Sequence, residues 1–233
     1  MVNYSFYEVY ITAQRAFTAM GFPYGSDEDA AFIIAWLELN RLKGIVLLAS
    51  LINELDNKYE GTIKLKNLNH KINFQNKSIL MKGSGLIDYL SSEIEVRKKI
   101  TANIINCKNA IFFLPLLYKK SKIINCSQLI FSDANHYINK YKIRNKKIIY
   151  SREKSKNSFM QNTVQILMNK NKNNKKTTQK TIISEKKIQQ NLGQSLTPEK
   201  NAWDQITKIA NKTFVPISDE SRNKGAGGSN DND

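Results

Sequence analysis

A change of hydrophobic period near Gly61 constrains this chain more than any other feature. Before it, apolar residues recur every three or four positions; after it they alternate, so helices precede strands. Ser5 and Glu8 form a Ser-x-x-Glu capping box, followed by Phe6, Val9, Tyr10, Ala13, Phe17 and Met20 on one face until Gly21 and Pro23. A second helix starts at Ser26 with Asp27, Glu28 and Asp29 in its first turn, where the helix dipole favours anions, buries Ile33, Trp36 and Leu37, and stops between Asn40 and Gly44. A third runs from Ile45 to Leu55. Beyond Gly61, the segments 62–66, 70–74 and 78–81 read as strands. Gly83-Ser84-Gly85 then introduces a helix from Leu86 to Lys99, and the apolar run Ala110 to Pro115 reads as a buried strand. Further strands are expected at 123–131 and 147–150.

The expected fold class is therefore mixed α/β: an N-terminal three-helix cap (1–56), a mixed sheet with helices, then a C-terminal helix and a glycine-rich tail. Residues 1–168 form one domain in this reading. The stretch 169–196 is a Lys/Asn-rich flexible linker, because 169–180 contains no apolar side chain to repay the entropy of ordering. Thr197 as N-cap and Pro198 as first helical residue open a last helix carrying Trp203, Ile206 and Ile209, which packs back on the domain with the tail to 233.

Charge narrows the function classes. The formal balance is +16, a field that attracts polyanions. Residues 1–60 carry 4 basic and 8 acidic side chains, whereas 61–150 carry 17 and 4. Thirty lysines against six arginines, with many Asn and Ile, fit A/T-rich codon drift better than a nucleic-acid surface, which leans on arginine forks and aromatic stacking. No specific nucleic acid is expected. The apolar runs are too short to span a bilayer, so no membrane is expected either. The start of the chain shows no export signal, and Cys107 and Cys126 are the only cysteines, which reads as a cytoplasmic protein with free thiols. Neither they nor the two histidines, His70 and His136, have metal-ligand spacing, so no metal is expected.

Three local patterns suggest chemistry. Gly83-Ser84-Gly85 could cradle an anion, but lacks the rest of a phosphate-loop fingerprint. Asp133 and His136 could pair as acid and base, though a polar turn explains them as well. At the ends, Gly21-Phe22-Pro23-Tyr24-Gly25 is a rigid turn, and Arg222 beside Gly225 to Gly228 makes a plausible anion nest.

The pieces Ala13-Gln14-Arg15-Ala16, Gly21 to Gly25, Glu28 and Ala35-Trp36-Leu37 resemble the opening of the bacterial family known as domain of unknown function 3726. Trp203, Phe214-Val215-Pro216, Ser221-Arg222, Gly225-Ala226-Gly227 and Asp231-Asn232-Asp233 resemble its ending, and Phe112 to Leu117 resembles its middle loosely. Tyr24 departs from a frequent tryptophan, and the insertion near residue 170 is peculiar to this chain. The resemblance carries no activity, reaction or cofactor. It does imply that the tail is more than a frayed end.

From these residues the first expectation is a pocket for a small anionic metabolite between tail and cap. It would be lined by Tyr24, Gly25, Glu28, Ser221, Arg222, Gly225, Gly227 and Asp231, with Arg222 pairing with the carboxylate or phosphate. Rival expectations are an accessory subunit whose apolar cap binds a partner enzyme, and a non-specific nucleic-acid binder using the basic middle.

Overall fold

A computed structural model describes residues 2–64, 71–154, 163–171 and 181–214. The fold is α/β, as expected. Helices α1 (Phe6–Ala19), α2 (Ser26–Leu39), α3 (Gly44–Ala49) and α4 (Ile52–Leu55) form the cap, the third expected helix breaking at Ser50 and Leu51 into α3 and α4. The capping box is present: the Ser5 hydroxyl accepts the Glu8 N–H at 3.2 Å, and the Glu8 carboxylate accepts the Ser5 N–H at 2.6 Å. Helix α2 is apolar nearly all round and buried to match, with α1, α3, α5 and α6 packed on its sides.

Two strand expectations fail between residues 78 and 119. Ser78–Met81 does not form a strand: the Ser78 hydroxyl accepts the Leu80 N–H and caps a long helix, α5 (Ile79–Arg97), because a short apolar run reads alike in either structure. Gly83-Ser84-Gly85 therefore lies inside α5 rather than ahead of a helix N-terminus. A Cβ on Gly83 would come within 2.5 Å of the Ile79 side chain and 3.3 Å of Leu116, so the glycine lets α5 approach the next helix closely. The run Ala110 to Pro115 is likewise helical, a 3₁₀ turn (Ala110–Phe112) leading into α6 (Phe113–Lys119). Pro115 is tolerated as the third helical residue, where an N–H has no intrahelical partner to lose.

The sheet is seven-stranded in the order β1-β2-β6-β3-β4-β5-β7, from β1 (Ile72–Asn73), β2 (Lys99–Ile105), β3 (Cys126–Ser132), β4 (Tyr137–Arg144), β5 (Lys147–Lys154), β6 (Thr163–Asn169) and β7 (Thr181–Ser184). Only β1 and β2 pair in parallel. One face, carrying Ile100, Ala102, Ile104, Leu129, Ile143, Val164 and Ile166, is buried beneath α5 and α6. The other face is covered by no element among the described residues.

Residues 181–192, within the stretch expected as a linker, are instead β7 and α7 (Glu185–Leu192), held by buried Ile183 and Ile188 and by Ser184, whose hydroxyl caps α7. Residues 172–180 lie outside the described residues. The last helix, α8 (Lys200–Ala210), begins two residues later than expected, because Glu199 rather than Thr197 caps it, accepting the N–H groups of Asn201 and Ala202. It packs on α1 and α3, with Trp203 4.2 Å from the Tyr4 ring, while Tyr4 and Leu196 exchange backbone hydrogen bonds of 2.9 and 2.7 Å.

Candidate functional site

The ends of α1 and α2 are built alike and differ in one residue. At the end of α1, Phe22 N–H bonds to Phe17 C=O and Gly21 N–H to Thr18 C=O, with Gly21 at φ 83° and the Phe17 and Phe22 rings in contact. This is a Schellman stop, which calls for a left-handed residue. At the end of α2 the same bonds run from Leu42 to Leu37 and from Arg41 to Glu38, yet the left-handed residue is Arg41, at φ 60°. Lys43, at φ 52°, is left-handed too and occupies the N-cap of α3, where its side chain accepts nothing. Glu38 does the capping: its carboxylate accepts the Ile45 N–H at 2.9 Å, with the Gly44 N–H also aimed at it. Burial raises the Glu38 carboxyl above its ordinary range, and these backbone bonds offset only part of the effect. Gly44 is obligatory at this corner, since a Cβ there would sit 2.1 Å from the Ile34 carbonyl oxygen.

This corner walls one side of a cleft between α2 and α7. Its polar end is a cavity of about 320 Å³ lined by Glu38, Arg41, Lys43, Gln194, Ser195 and Thr197 among others. Neither Arg41 nor Lys43 has a carboxylate partner among the described residues. Leu39 is shared with an adjoining apolar groove of about 450 Å³. Phe6, Phe32, Trp36, Ile188 and Leu192 wall that groove, and Lys119, Lys122 and Lys146 rim it. The buried Ser121 hydroxyl in its lining has no hydrogen-bond partner. A cleft with one apolar end and one cationic end suits a small amphipathic anion.

Of the residues expected from sequence, those that the structure describes lie outside this cleft. Tyr24 and Gly25 sit on the α1–α2 turn and Glu28 in the first turn of α2, at the other end of that helix from Arg41. Tyr24 is 91% exposed, and Gly25 is left-handed at φ 84° as the N-cap of α2. The surroundings are acidic: Tyr10 is pushed above the ordinary phenol range by burial first, then by Glu28, Asp27 and Asp29. Asp27 is buried and accepts the Thr18 hydroxyl at 2.9 Å. Ser221, Arg222, Gly225, Gly227 and Asp231 lie outside the described residues. Asp133 and His136 form a turn, not an acid–base pair. Asp133 accepts the Asn135 and Tyr137 N–H groups and the Arg152 guanidinium, and the Tyr137 bond foremost holds its carboxyl down at about 2. Among the described residues no three His, Cys, Asp or Glu side chains gather as metal ligands would, and no helix is long and apolar enough to cross a membrane.

Sequence reasoning missed Glu38, Arg41 and Lys43. Two cations flanking a helix stop where glycine is usual were the available signal.

Residues 4–96 match the family described as protein of unknown function (DUF3726), which bears out the resemblance over the N-terminal part of the chain. No curated protein matches. Solved structures are similar in fold. An E. coli protein assigned as a malate/lactate dehydrogenase superposes with TM-score 0.66 at 7% identity, covering 95% of this chain and 97% of that one. Sulfolactate dehydrogenase from Methanocaldococcus jannaschii gives 0.61 at 8% identity, with 91% and 97% covered. Malate dehydrogenase from Pyrococcus horikoshii gives 0.51 at 9% identity, over 66% of this chain and half of that one.

Proposed function

We propose that this chain, with a DUF3726 match over residues 4–96 and a dehydrogenase-like fold, binds a small carboxylate-bearing metabolite in the α2–α7 cleft. The observation that carries this reading is the pair Arg41 and Lys43, two cations in the lining of one cavity with no carboxylate partner among the described residues. Arg41 presents a planar fork to the carboxylate and Lys43 adds a point charge. Glu38, half-buried in the same lining, offers carboxylate oxygens that can accept a hydrogen bond from a ligand hydroxyl. The adjoining groove takes the apolar remainder. Malate, lactate and sulfolactate, the substrates in the neighbours' names, are hydroxy acids of this charge class; that likeness supports the ligand class and not a reaction.

The test is calorimetric titration with malate, lactate and sulfolactate after a thermal-shift screen. At least one should raise the melting temperature, and Lys43→Met should weaken its binding about tenfold, the loss of one charge-assisted contact of about 1.4 kcal/mol. Affinity equal in wild type and Lys43→Met, or no binding by any of the three, would refute the assignment.

A further inference from the structure

Resting on the carboxylate reading of the α2–α7 cleft, we infer that its ligand carries an aromatic ring: a 3-aryl-2-hydroxy acid whose ring lies in the groove beside Leu39. Phe32, Trp36 and Leu39 are spaced four and three residues apart on α2 and so share one helix face. Ile188 and Leu192, four apart on α7, form the opposite wall, and Phe6 and Tyr118 complete it from α1 and α6. Four of these seven side chains carry rings, and those of Trp36 and Tyr118 meet in a tilted contact with centroids 5.4 Å apart.

Such a lining discriminates between apolar groups. A ligand ring gains offset and edge-to-face contacts with the wall beyond the area it buries, whereas an alkyl chain gains area alone and loses the freedom of each of its rotors. The rim acts in the same sense. Lys119 Nζ stands 5.2 Å from the centre of the Phe32 ring, so a cation already meets an aromatic face in this groove. Among the described residues the one carboxylate in the lining, Glu185, is held by Lys146.

Size and continuity point the same way. The groove, about 450 Å³, is larger than the polar cavity of about 320 Å³, and Leu39 lines both. A ligand of lactate size fills the polar part and leaves the rings against water. Trp36 stands three residues before Leu39, about 4.5 Å of helix rise, and Arg41 comes two residues after it. A carboxylate at Arg41 and a ring beside Trp36 are therefore joined by the few bonds that 3-phenyllactate supplies.

The experiment is calorimetric titration of the full chain with both enantiomers of lactate, 3-phenyllactate and 2-hydroxyoctanoate. The last controls for area, since its hexyl chain offers at least as much apolar surface as a benzyl group. The better phenyllactate enantiomer should bind about tenfold tighter than lactate, or more, and about threefold tighter than 2-hydroxyoctanoate. Leu192→Trp fills the groove with an indole of the protein's own and should cut the phenyllactate-to-lactate ratio at least by half. Leu192 is 40% exposed at the end of α7, so the change touches no core, and a melting temperature checks the fold. A preference over lactate well short of tenfold would leave the groove outside the site and overturn the inference. So would 2-hydroxyoctanoate binding as tightly as phenyllactate, which reduces the groove to area alone, or an unchanged ratio in folded Leu192→Trp. Each of these leaves lactate binding and its dependence on Lys43 standing, whereas loss of that dependence overturns the carboxylate reading itself and this inference with it.

Discussion

Arg41 occupies a backbone position that glycine fills without strain, and replacing it separates stability from binding. Gly21 shows the relaxed form of the same helix stop. Arg41→Gly should therefore raise stability by about 0.5–1 kcal/mol, about 1–4 °C in Tm for a chain of this size, while carboxylate affinity falls. A lower Tm would mean that Arg41 stabilises the corner through its side chain. Gly44→Ala should cost about 1–3 kcal/mol, read by urea titration, because its methyl must displace the Ile34 carbonyl. Glu38 sets a pH dependence. Its folded-state pKa lies above the ordinary 4.5, so its contribution to stability is full below 4.5 and is lost as pH rises through the folded value. Glu38→Gln keeps an oxygen to cap α3 and should flatten that part of the stability curve; an unchanged slope would show that Glu38 ionises freely.

Elements owe their places to caps and to single buried rings. Trp203 is 7% exposed against Tyr4 on the inner face of α8, and Trp203→Ala should cost about 3–5 kcal/mol. Ser5→Ala removes the box that starts α1 and should cost about 1 kcal/mol by the same urea titration. The β3–β4 turn has the opposite pH sign to Glu38: Asp133 is depressed to about 2 from 3.8, so its contribution is present above 3.8 and disappears as pH falls toward 2. Asp133→Asn should remove that acid-limb loss. Legibility in the sequence followed the same local devices. Ser5 with Glu8 and Gly21 with Pro23 announced their helix ends, because a cap acts within four residues. The run 78–81 did not, since three apolar residues in a row carry no period. The cleft was illegible, because Glu38 and Thr197 meet only through tertiary packing, and no spacing rule spans such a separation.

For the whole molecule, the chain's last described residue, Phe214, lies under the Arg15 guanidinium of α1 at 4.6 Å. Our proposal that Ser221, Arg222, Gly225, Gly227 and Asp231 cover the cap near Tyr24 is tested by deleting 215–233 and measuring protease cleavage at Tyr24. Faster cleavage in the shortened chain is expected; an equal rate would detach the tail from that turn. The pairing of Tyr4 with Leu196 has a consequence in time as well as in space. α1 leaves the ribosome well before α8, the helix that packs on it, which follows about 10–40 s later at ordinary translation rates. The helical layer is thus a clasp fastened by Leu196 and α8. A fragment stopping at residue 96 keeps the family's matched stretch yet leaves the clasp open, and truncation from either terminus exposes the same seam.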